Sequence, residues 1–273
     1  MNRLDALFAR KKENILNVYF TAGYPKLEDT VPIIRGLAEG GVDLIEIGMP
    51  YSDPMADGTT IQQSSMQALK NGMTLELLFE QIREAREYTQ VPIILMGYYN
   101  QVLQFGTERF VQFCTSAGPK HSPNNLNPED HSRDVDGLIL PDLPLAEYQE
   151  NFQPLMDAAG LRFSFLITPQ TSEARIRAID AASDGFIYVV SSSAITGNTS
   201  GISPAQKDYF ARIEAMQLSS PCLIGFGISN AQSFQTACQY AHGAIIGSAF
   251  IRALGEGGSS QMVAHDFVKA IKG

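Results

Sequence analysis

Eight short runs rich in Val, Ile, Leu and Phe alternate with longer amphipathic stretches along the 273-residue chain. Such runs are typical of parallel strands covered on both faces, and strand–helix repeats give right-handed crossovers. Eight units in about 250 residues predict one (β/α)₈ TIM barrel over residues 1–273, with an extra N-terminal helix. A doubly wound open sheet is the weaker alternative, because no GxGxxG follows the first run. The runs are ILNVYFTAG, VDLIEIGMP, PIILMGYY, DGLILPD, FSFLITP, GFIYVVSS, CLIGFGIS and GAIIGSAF.

The amphipathic stretches carry residues that begin and end helices. Thr74, Ser172, Ser203 and Asn230 each stand where an N-cap is expected, and glycines follow several of the periodic segments. These signals place a helix after each predicted strand and so support the barrel.

A polar insert at about residues 119–134 interrupts this rhythm before the fourth predicted strand. Its Pro, Asn and charged residues predict a surface loop. A loop that leads into a strand lies on the N-terminal face of a barrel, away from the chemistry. We therefore expect His121 and His131 to be solvated loop residues rather than a metal pair, and we predict no metal site.

The overall charge and the cysteines limit the class of protein. A formal net charge of −9 argues against binding to nucleic acid or to an anionic membrane. Three scattered cysteines without a CxxC pair are typical of reduced thiols in a cytoplasmic protein. No apolar segment predicts a signal peptide or a membrane span.

Glu46 interrupts the second apolar run, where an unpaired carboxylate would cost several kcal/mol or would hold a proton. Strand alternation places Leu44, Glu46 and Gly48 toward the barrel interior. It places Ile45, Ile47 and Met49 toward the helices. Glu46 then lies near the C-terminal strand end, where barrel enzymes keep catalytic residues, and Gly48 leaves space for a ligand. A buried glutamate paired with a structural cation is the alternative.

Asp57 follows Glu46 by eleven residues, on the loop PYSDPMADGTT. It is either a turn or helix-start residue, or the second member of an acid–base pair above the barrel. Burial would raise the pKa of Glu46, whereas a wetter loop would keep Asp57 ionised.

Small residues end the last predicted strands, at GFGIS and IIGSAF. Gly225, Gly227, Gly247 and Ser248 allow close backbone approach, and the second turn opens a short helix. The loops after strands seven and eight of a barrel commonly bind phosphate at a helix N-terminus. The long loop SAITGNTSG is typical of a lid.

Six segments together resemble the tryptophan synthase α subunit family: YFTAGYP, IEIGMPYSDPMADGTTIQ, LILPDLP, YVVSSSAITG, GFGIS and IIGSA. The resemblance runs through all eight predicted strands. It implies retro-aldol cleavage of indole-3-glycerol phosphate to indole and glyceraldehyde 3-phosphate, with Glu46 as the general acid–base and Asp57 as the second carboxylate. The substrate contacts that it implies are Tyr19, Tyr98, Tyr188, Thr196, Gly197, Gly225, Phe226, Gly227, Gly247 and Ser248.

The resemblance also implies a partner. It is a β subunit that carries pyridoxal phosphate in an α₂β₂ complex, while this chain holds no cofactor of its own. The implied contact face includes SDPMADG, residues 98–106 and the segment around Asp142. Val102, Leu103 and Phe105 fit either that interface or helix packing.

The sequence departs from the family pattern at Thr59, Ser192 and Ala194, which puts loop closure in doubt more than chemistry. Two other functions stay open: another phosphate-binding barrel isomerase, and a non-catalytic subunit that binds a phosphate ligand and regulates a partner. Retention of both Glu46 and Asp57 argues against the regulatory subunit.

Overall fold

The computed structural model describes residues 1–53, 57–115, 134–191, 203–225 and 227–273. Within these ranges nine strands, numbered β1 to β9 along the chain, form one parallel sheet. They are Ile15–Thr21 (β1), Leu44–Gly48 (β2), Ile93–Met96 (β3), Gly137–Ile139 (β4), Arg162–Phe163 (β5), Phe165–Ile167 (β6), Ile187–Val190 (β7), Cys222–Gly225 (β8) and Gly243–Ile246 (β9).

The strand order β5-β4-β3-β2-β1-β9-β8-β7-β6 closes the sheet into a barrel at a single residue, Ser164. The run FSFLITP was predicted as one strand, and the structure divides it there. The Ser164 N–H donates to the Leu138 carbonyl on one side, while its Oγ accepts the Phe186 N–H on the other. The serine side chain thus replaces a backbone partner where the strand changes neighbours.

Thirteen α-helices in the described part of the chain surround or cap the barrel. A 3₁₀ turn, Leu27–Asp29, precedes α2, and a π-helical turn, Tyr148–Phe152, joins α7 to α8. The helices are Arg3–Arg10 (α1), Thr30–Gly40 (α2), Thr59–Lys70 (α3), Leu75–Ala85 (α4), Tyr99–Phe105 (α5), Thr107–Cys114 (α6), Leu145–Glu147 (α7), Gln153–Ala159 (α8), Glu173–Ala182 (α9), Pro204–Ala215 (α10), Ala231–Cys238 (α11), Ser248–Gly255 (α12) and Ser260–Lys272 (α13).

The predicted helix starts are confirmed by side-chain caps. Oxygens of Thr74, Ser172, Ser203 and Asn230 each accept a backbone N–H from the first turn of α4, α9, α10 and α11. Each cap satisfies a donor that the helix itself cannot.

Alternation along the strands separates two apolar layers. The outer layer between strands and helices includes Ile45 and Ile47, whereas Leu44 belongs to the layer inside the barrel. The N-terminal helix α1 closes the barrel's lower end, because Leu4 and Leu7 join that inner layer. The predicted extra helix is therefore a plug, and the opposite end of the barrel stays available for chemistry.

Candidate active site

Glu46 lies inside the barrel, as strand alternation predicted, with only 1% of its surface exposed. It stands beside Tyr19 in the register of β1 and β2. Its partner is a neutral amide, because Asn17 Nδ2 donates to Glu46 Oε2 across 2.7 Å. The structure therefore gives no support to the alternative of a structural cation beside this carboxyl.

The two carboxyl groups differ in the pH at which they ionise. The pKa of Glu46 is raised to about 8, because burial and, to a smaller extent, the Asp57 charge raise it by more than the Asn17 hydrogen bond lowers it. Burial also raises the pKa of Asp57, but only to about 6, because the Tyr98 hydrogen bond lowers it. At neutral pH the stable pair is a protonated Glu46 and an ionised Asp57.

Asp57 is held above the barrel by both its side chain and its backbone. The Tyr98 hydroxyl donates to Asp57 Oδ2 across 3.3 Å, and Gln62 Nε2 donates to the Asp57 carbonyl across 2.9 Å. The Tyr98 ring stacks on Tyr51 with 4.9 Å between ring centres.

Asp57 does not cap the helix that follows it. The N-cap of α3 is Gly58, and no side chain caps this helix, so the Asp57 carboxylate is available to the site. Thr59 is the first residue of that helix.

Two glycines make room for tyrosine rings. A Cβ on Gly48 would collide with the Tyr19 hydroxyl, and a Cβ on Gly225 would collide with the Tyr188 ring. The sequence interpretation that Gly48 leaves space for a ligand is therefore wrong, because Tyr19 fills that space. Both tyrosines are buried, and burial raises their pKa values well above the usual range, so they stay protonated and can donate.

A cavity opens above these groups at the C-terminal strand ends. Asp57 and the rings of Tyr19 and Tyr98 form its polar side, whereas Met96 and Pro141 form its apolar side. Met49, which the sequence analysis assigned to the helix side, packs with the outer layer and also lines this cavity. Apolar side chains with a few convergent polar groups are the usual lining of a small-molecule site.

The predicted phosphate contacts lie at the neighbouring ends of β8 and β9. The two strands pair in parallel, so the turn with Gly227 and the turn with Gly247 are adjacent. Gly247 is the N-cap of α12, and Ser248 begins that helix, which confirms the predicted short helix. A Cβ on Gly247 would lie 3.3 Å from the Tyr19 ring, so this turn borders the cavity. The first-turn N–H groups of α12 offer donors for an anion.

Several predicted residues lie outside the described ranges: the lid residues Thr196 and Gly197, the departures Ser192 and Ala194, and Phe226. The insert residues up to 133, with His121 and His131, also lie outside. In the described segments no three His, Cys, Asp or Glu side chains come together as a metal site.

Asn17 and Tyr51 are site residues that the sequence analysis missed. A polar residue within the apolar run ILNVYF was the available signal for Asn17, and it has the same form as the signal that singled out Glu46. Tyr51 gave no comparable signal, because an aromatic residue in a loop after a strand fits many roles.

A family model described as tryptophan synthase alpha chain matches residues 6–272. The chain belongs to the tryptophan synthase alpha chain family. It is 51% identical to the "Tryptophan synthase alpha chain" of Flavobacterium psychrophilum, over 96% of this chain and 97% of that protein. It is 49% identical to that of Flavobacterium johnsoniae, over the full length of both.

Solved structures of tryptophan synthase share the fold of this family member. The alpha subunit from Legionella pneumophila has a TM-score of 0.83 at 28% identity, over 100% of this chain and 97% of that one. A chain of the Pyrococcus furiosus complex has a TM-score of 0.81 at 30% identity, over 96% and 99%. The predicted TIM barrel is confirmed.

Membership in the tryptophan synthase alpha chain family also decides the activity. The chain is a lyase of tryptophan biosynthesis that cleaves indole-3-glycerol phosphate, as the sequence resemblance implied. Neither the isomerase nor the non-catalytic regulatory subunit is favoured. In the part of the chain that the structure describes, no helix is long and apolar enough to cross a membrane.

Proposed function

We propose that Glu46 and Asp57 carry out the cleavage of indole-3-glycerol phosphate within a single barrel domain over residues 1–273. Protonation of the indole ring at C3 creates a positive charge, and loss of the side-chain hydroxyl proton releases the aldehyde as the carbon–carbon bond breaks. Glu46 delivers the first proton and collects the second. Asp57, as a carboxylate near the ring N–H, stabilises the charge.

One observation carries this assignment: Glu46 is buried inside the barrel against a neutral amide, whereas Asp57 lies at the cavity and accepts a hydrogen bond from Tyr98. These surroundings separate the pKa values of the two carboxyls, to about 8 for Glu46 and about 6 for Asp57. The general acid is therefore protonated and the charge stabiliser ionised over the same pH interval. A pair of carboxyls whose pKa values are pushed apart is the usual mark of an acid–base assignment.

The substrate's position follows from the remaining residues. Indole is assigned to the site lined by Tyr19 and Tyr98, and the Tyr188 hydroxyl lies on the Glu46 side of the barrel. The phosphate oxygens accept hydrogen bonds from backbone N–H groups of the turn at Gly227 and of the α12 N-terminus at Gly247 and Ser248. Gly225 acts indirectly, by leaving room for Tyr188. Thr196, Gly197 and Phe226 complete the proposed substrate contacts.

The pH profile of kcat/KM tests these roles. We expect a bell with breaks near pH 6 and pH 8, because activity requires ionised Asp57 and protonated Glu46. The basic break should disappear in Glu46→Gln, whose residual rate should follow only the Asp57 titration. A wild-type profile that is flat from pH 5 to 9 would contradict the assignment.

We also propose a β-subunit partner that carries pyridoxal phosphate in an α₂β₂ complex, whereas this chain needs no cofactor. Complexes of tryptophan synthase among the similar structures support the partner. Hydrogen bonds join three loops of the implied face: the Tyr99 N–H donates to Asp142, and Asn100 donates to the Tyr51 hydroxyl. A continuous face of this kind suits an interface. A cytoplasmic location agrees with three free cysteines, two of them buried.

Leu103 is the residue to test on this face. Val102 is fully buried and Phe105 packs against the core, so both serve helix packing, whereas Leu103 is 49% exposed. We expect Leu103→Ala to weaken binding of the β subunit about tenfold without changing stability. Leu69→Ala is the matched control, because Leu69 is also exposed but lies on α3, outside the three loops that these hydrogen bonds join. Equal affinity in the two variants would contradict the proposed face.

A further inference from the structure

We propose that Asn17 is a positioning residue for Glu46, and that its amide stabilises both the ionised and the protonated form of that carboxyl. The inference rests on the proposed role of Glu46 as acid and base. A group that gives and then takes a proton needs a neighbour suited to either state, and a fixed cation or a second carboxylate would favour one state only.

The geometry places Asn17 firmly against Glu46. Asn17 lies on β1 opposite Leu44, two residues before the Tyr19–Glu46 pair, so strand alternation directs both pairs to the barrel interior, where Leu44 joins the inner layer. Its side chain is fully buried, and Nδ2 is 2.7 Å from Glu46 Oε2. Neighbouring strands on both sides hold the Asn17 backbone, so the amide's position is set by the barrel itself.

The other half of the amide is unused. Asn17 Oδ1 is buried and has no hydrogen-bond partner among the described residues. A buried acceptor without a partner costs about 1–3 kcal/mol, so its presence calls for an explanation. If the amide group flips about the Cβ–Cγ bond, Oδ1 faces Glu46 and can accept a hydrogen bond from the protonated carboxyl. Nδ2 then takes the position without a partner. The same side chain thus donates to the carboxylate and accepts from the carboxylic acid.

The charged and titratable groups near Glu46 do not favour its ionised form, whereas Asn17 does. Among the residues that the structure describes, the titratable groups that act on Glu46 or that Glu46 acts on are Asp57, Tyr19 and Tyr188, and none of them is a cation. Burial and Asp57 both disfavour the ionised form, whereas the Asn17 hydrogen bond favours it. The hydrogen bond to the carboxylate is charge-assisted and therefore stronger than the one accepted from the carboxylic acid, so loss of Asn17 should make the Glu46 proton harder to release and should let the carboxyl rotate.

Asn17→Leu tests the proposal, because leucine keeps the branched shape of asparagine and removes both hydrogen-bonding atoms. We expect kcat for indole release to fall about ten- to hundredfold with KM changed less than about threefold, since the phosphate and ring contacts remain. The Glu46 carboxyl, followed by ¹³C NMR in the folded protein, should titrate at higher pH than in the wild type. Unchanged kcat and unchanged titration would overturn the proposal.

Two further variants separate positioning from general damage to the barrel interior. Ile245→Val removes a methyl group from the neighbouring strand position and should change neither kcat nor the Glu46 titration. Asn17→Asp keeps the shape and places a second carboxyl beside Glu46, so the two should share a proton and titrate with widely separated pKa values. If Asn17→Leu does not fold, a wild-type Glu46 titration in folded Asn17→Asp would overturn the proposal.

Failure of the catalytic assignment gives a different result. Near-normal turnover in Glu46→Gln would refute the role of Glu46, whatever Asn17 does. A large loss in Glu46→Gln together with wild-type kcat and titration in Asn17→Leu would refute only the role of Asn17.

Discussion

The Tyr98 hydroxyl donates a hydrogen bond to Oδ2 of Asp57, so a side chain from the loop after β3 holds a carboxylate from the loop after β2. The Tyr98 ring also stacks on Tyr51, which accepts a hydrogen bond from Asn100. Asp57 is thus connected to the face on which we propose that the partner binds. A shift of this face on binding would move the carboxylate directly.

Removal of the Tyr98 hydroxyl should change the acidic side of the pH profile. The hydrogen bond lowers the pKa of Asp57, so in Tyr98→Phe that pKa should rise and the acidic break in kcat/KM should move upward from about 6. Steady-state kinetics from pH 5 to 9 measures both breaks. The basic break, assigned to Glu46, serves as the internal control and should move less. An acidic break that stays in place would show that Tyr98 does not act on Asp57.

Glu46 should make stability depend on pH in a specific direction. Its pKa is about 8 when folded and close to the ordinary 4.5 when unfolded, so the folded protein retains a proton that the unfolded chain releases. Stability should therefore fall between about pH 5 and 8, by an amount on the order of 4 kcal/mol. Glu46→Gln should remove this loss, and urea unfolding at pH 5 and 8.5 measures it. The exposed Glu87→Gln is the control and should retain the wild-type pH dependence.

Gly48→Ala should destabilise the protein and reduce its activity. The added methyl would collide with the Tyr19 hydroxyl, so the ring must move into the cavity, at a cost of about 1–3 kcal/mol. A double-mutant cycle with Tyr19→Ala tests the cause, because Tyr19→Ala removes the atoms in conflict and should suppress the effect of Gly48→Ala on unfolding. Strictly additive free energies would contradict a direct clash.

Leu7→Ala should lower stability without changing the chemistry. Leu7 is buried in the inner layer where α1 plugs the barrel, so its truncation leaves a cavity and should cost about 2–5 kcal/mol. The plug lies at the end of the barrel opposite Asp57, so kcat per folded molecule should stay at the wild-type value. Thermal unfolding and indole release from the same sample measure the two quantities. A proportional loss of kcat would show that the plug also shapes the site.

Sequence periodicity predicted the features that depend on the direction of a side chain from its own strand or helix. Glu46 points inward because the side chains of its strand alternate between the two faces of the sheet. Helix N-caps such as Thr74 were also predictable, because a cap side chain accepts a hydrogen bond from a backbone N–H within the next four residues.

Features that depend on two distant segments were not predictable in this way. The space at Gly48 is filled by Tyr19 from another strand, and the strand division at Ser164 depends on partners on both sides. Asn17 becomes meaningful only when the β1–β2 register brings it to Glu46. The sequence patterns describe each element alone, whereas these contacts arise from how the barrel closes.

The most direct test of the account is single-turnover release of indole from indole-3-glycerol phosphate by the wild type and by Glu46→Gln, at pH 7 and saturating substrate. Glutamine keeps the shape and can still accept the Asn17 hydrogen bond, but it can neither give nor take the proton. We expect a rate lower by about 10²- to 10⁴-fold in folded Glu46→Gln, with substrate affinity largely retained. A rate within a few-fold of the wild type would contradict the central claim that Glu46 is the general acid and base.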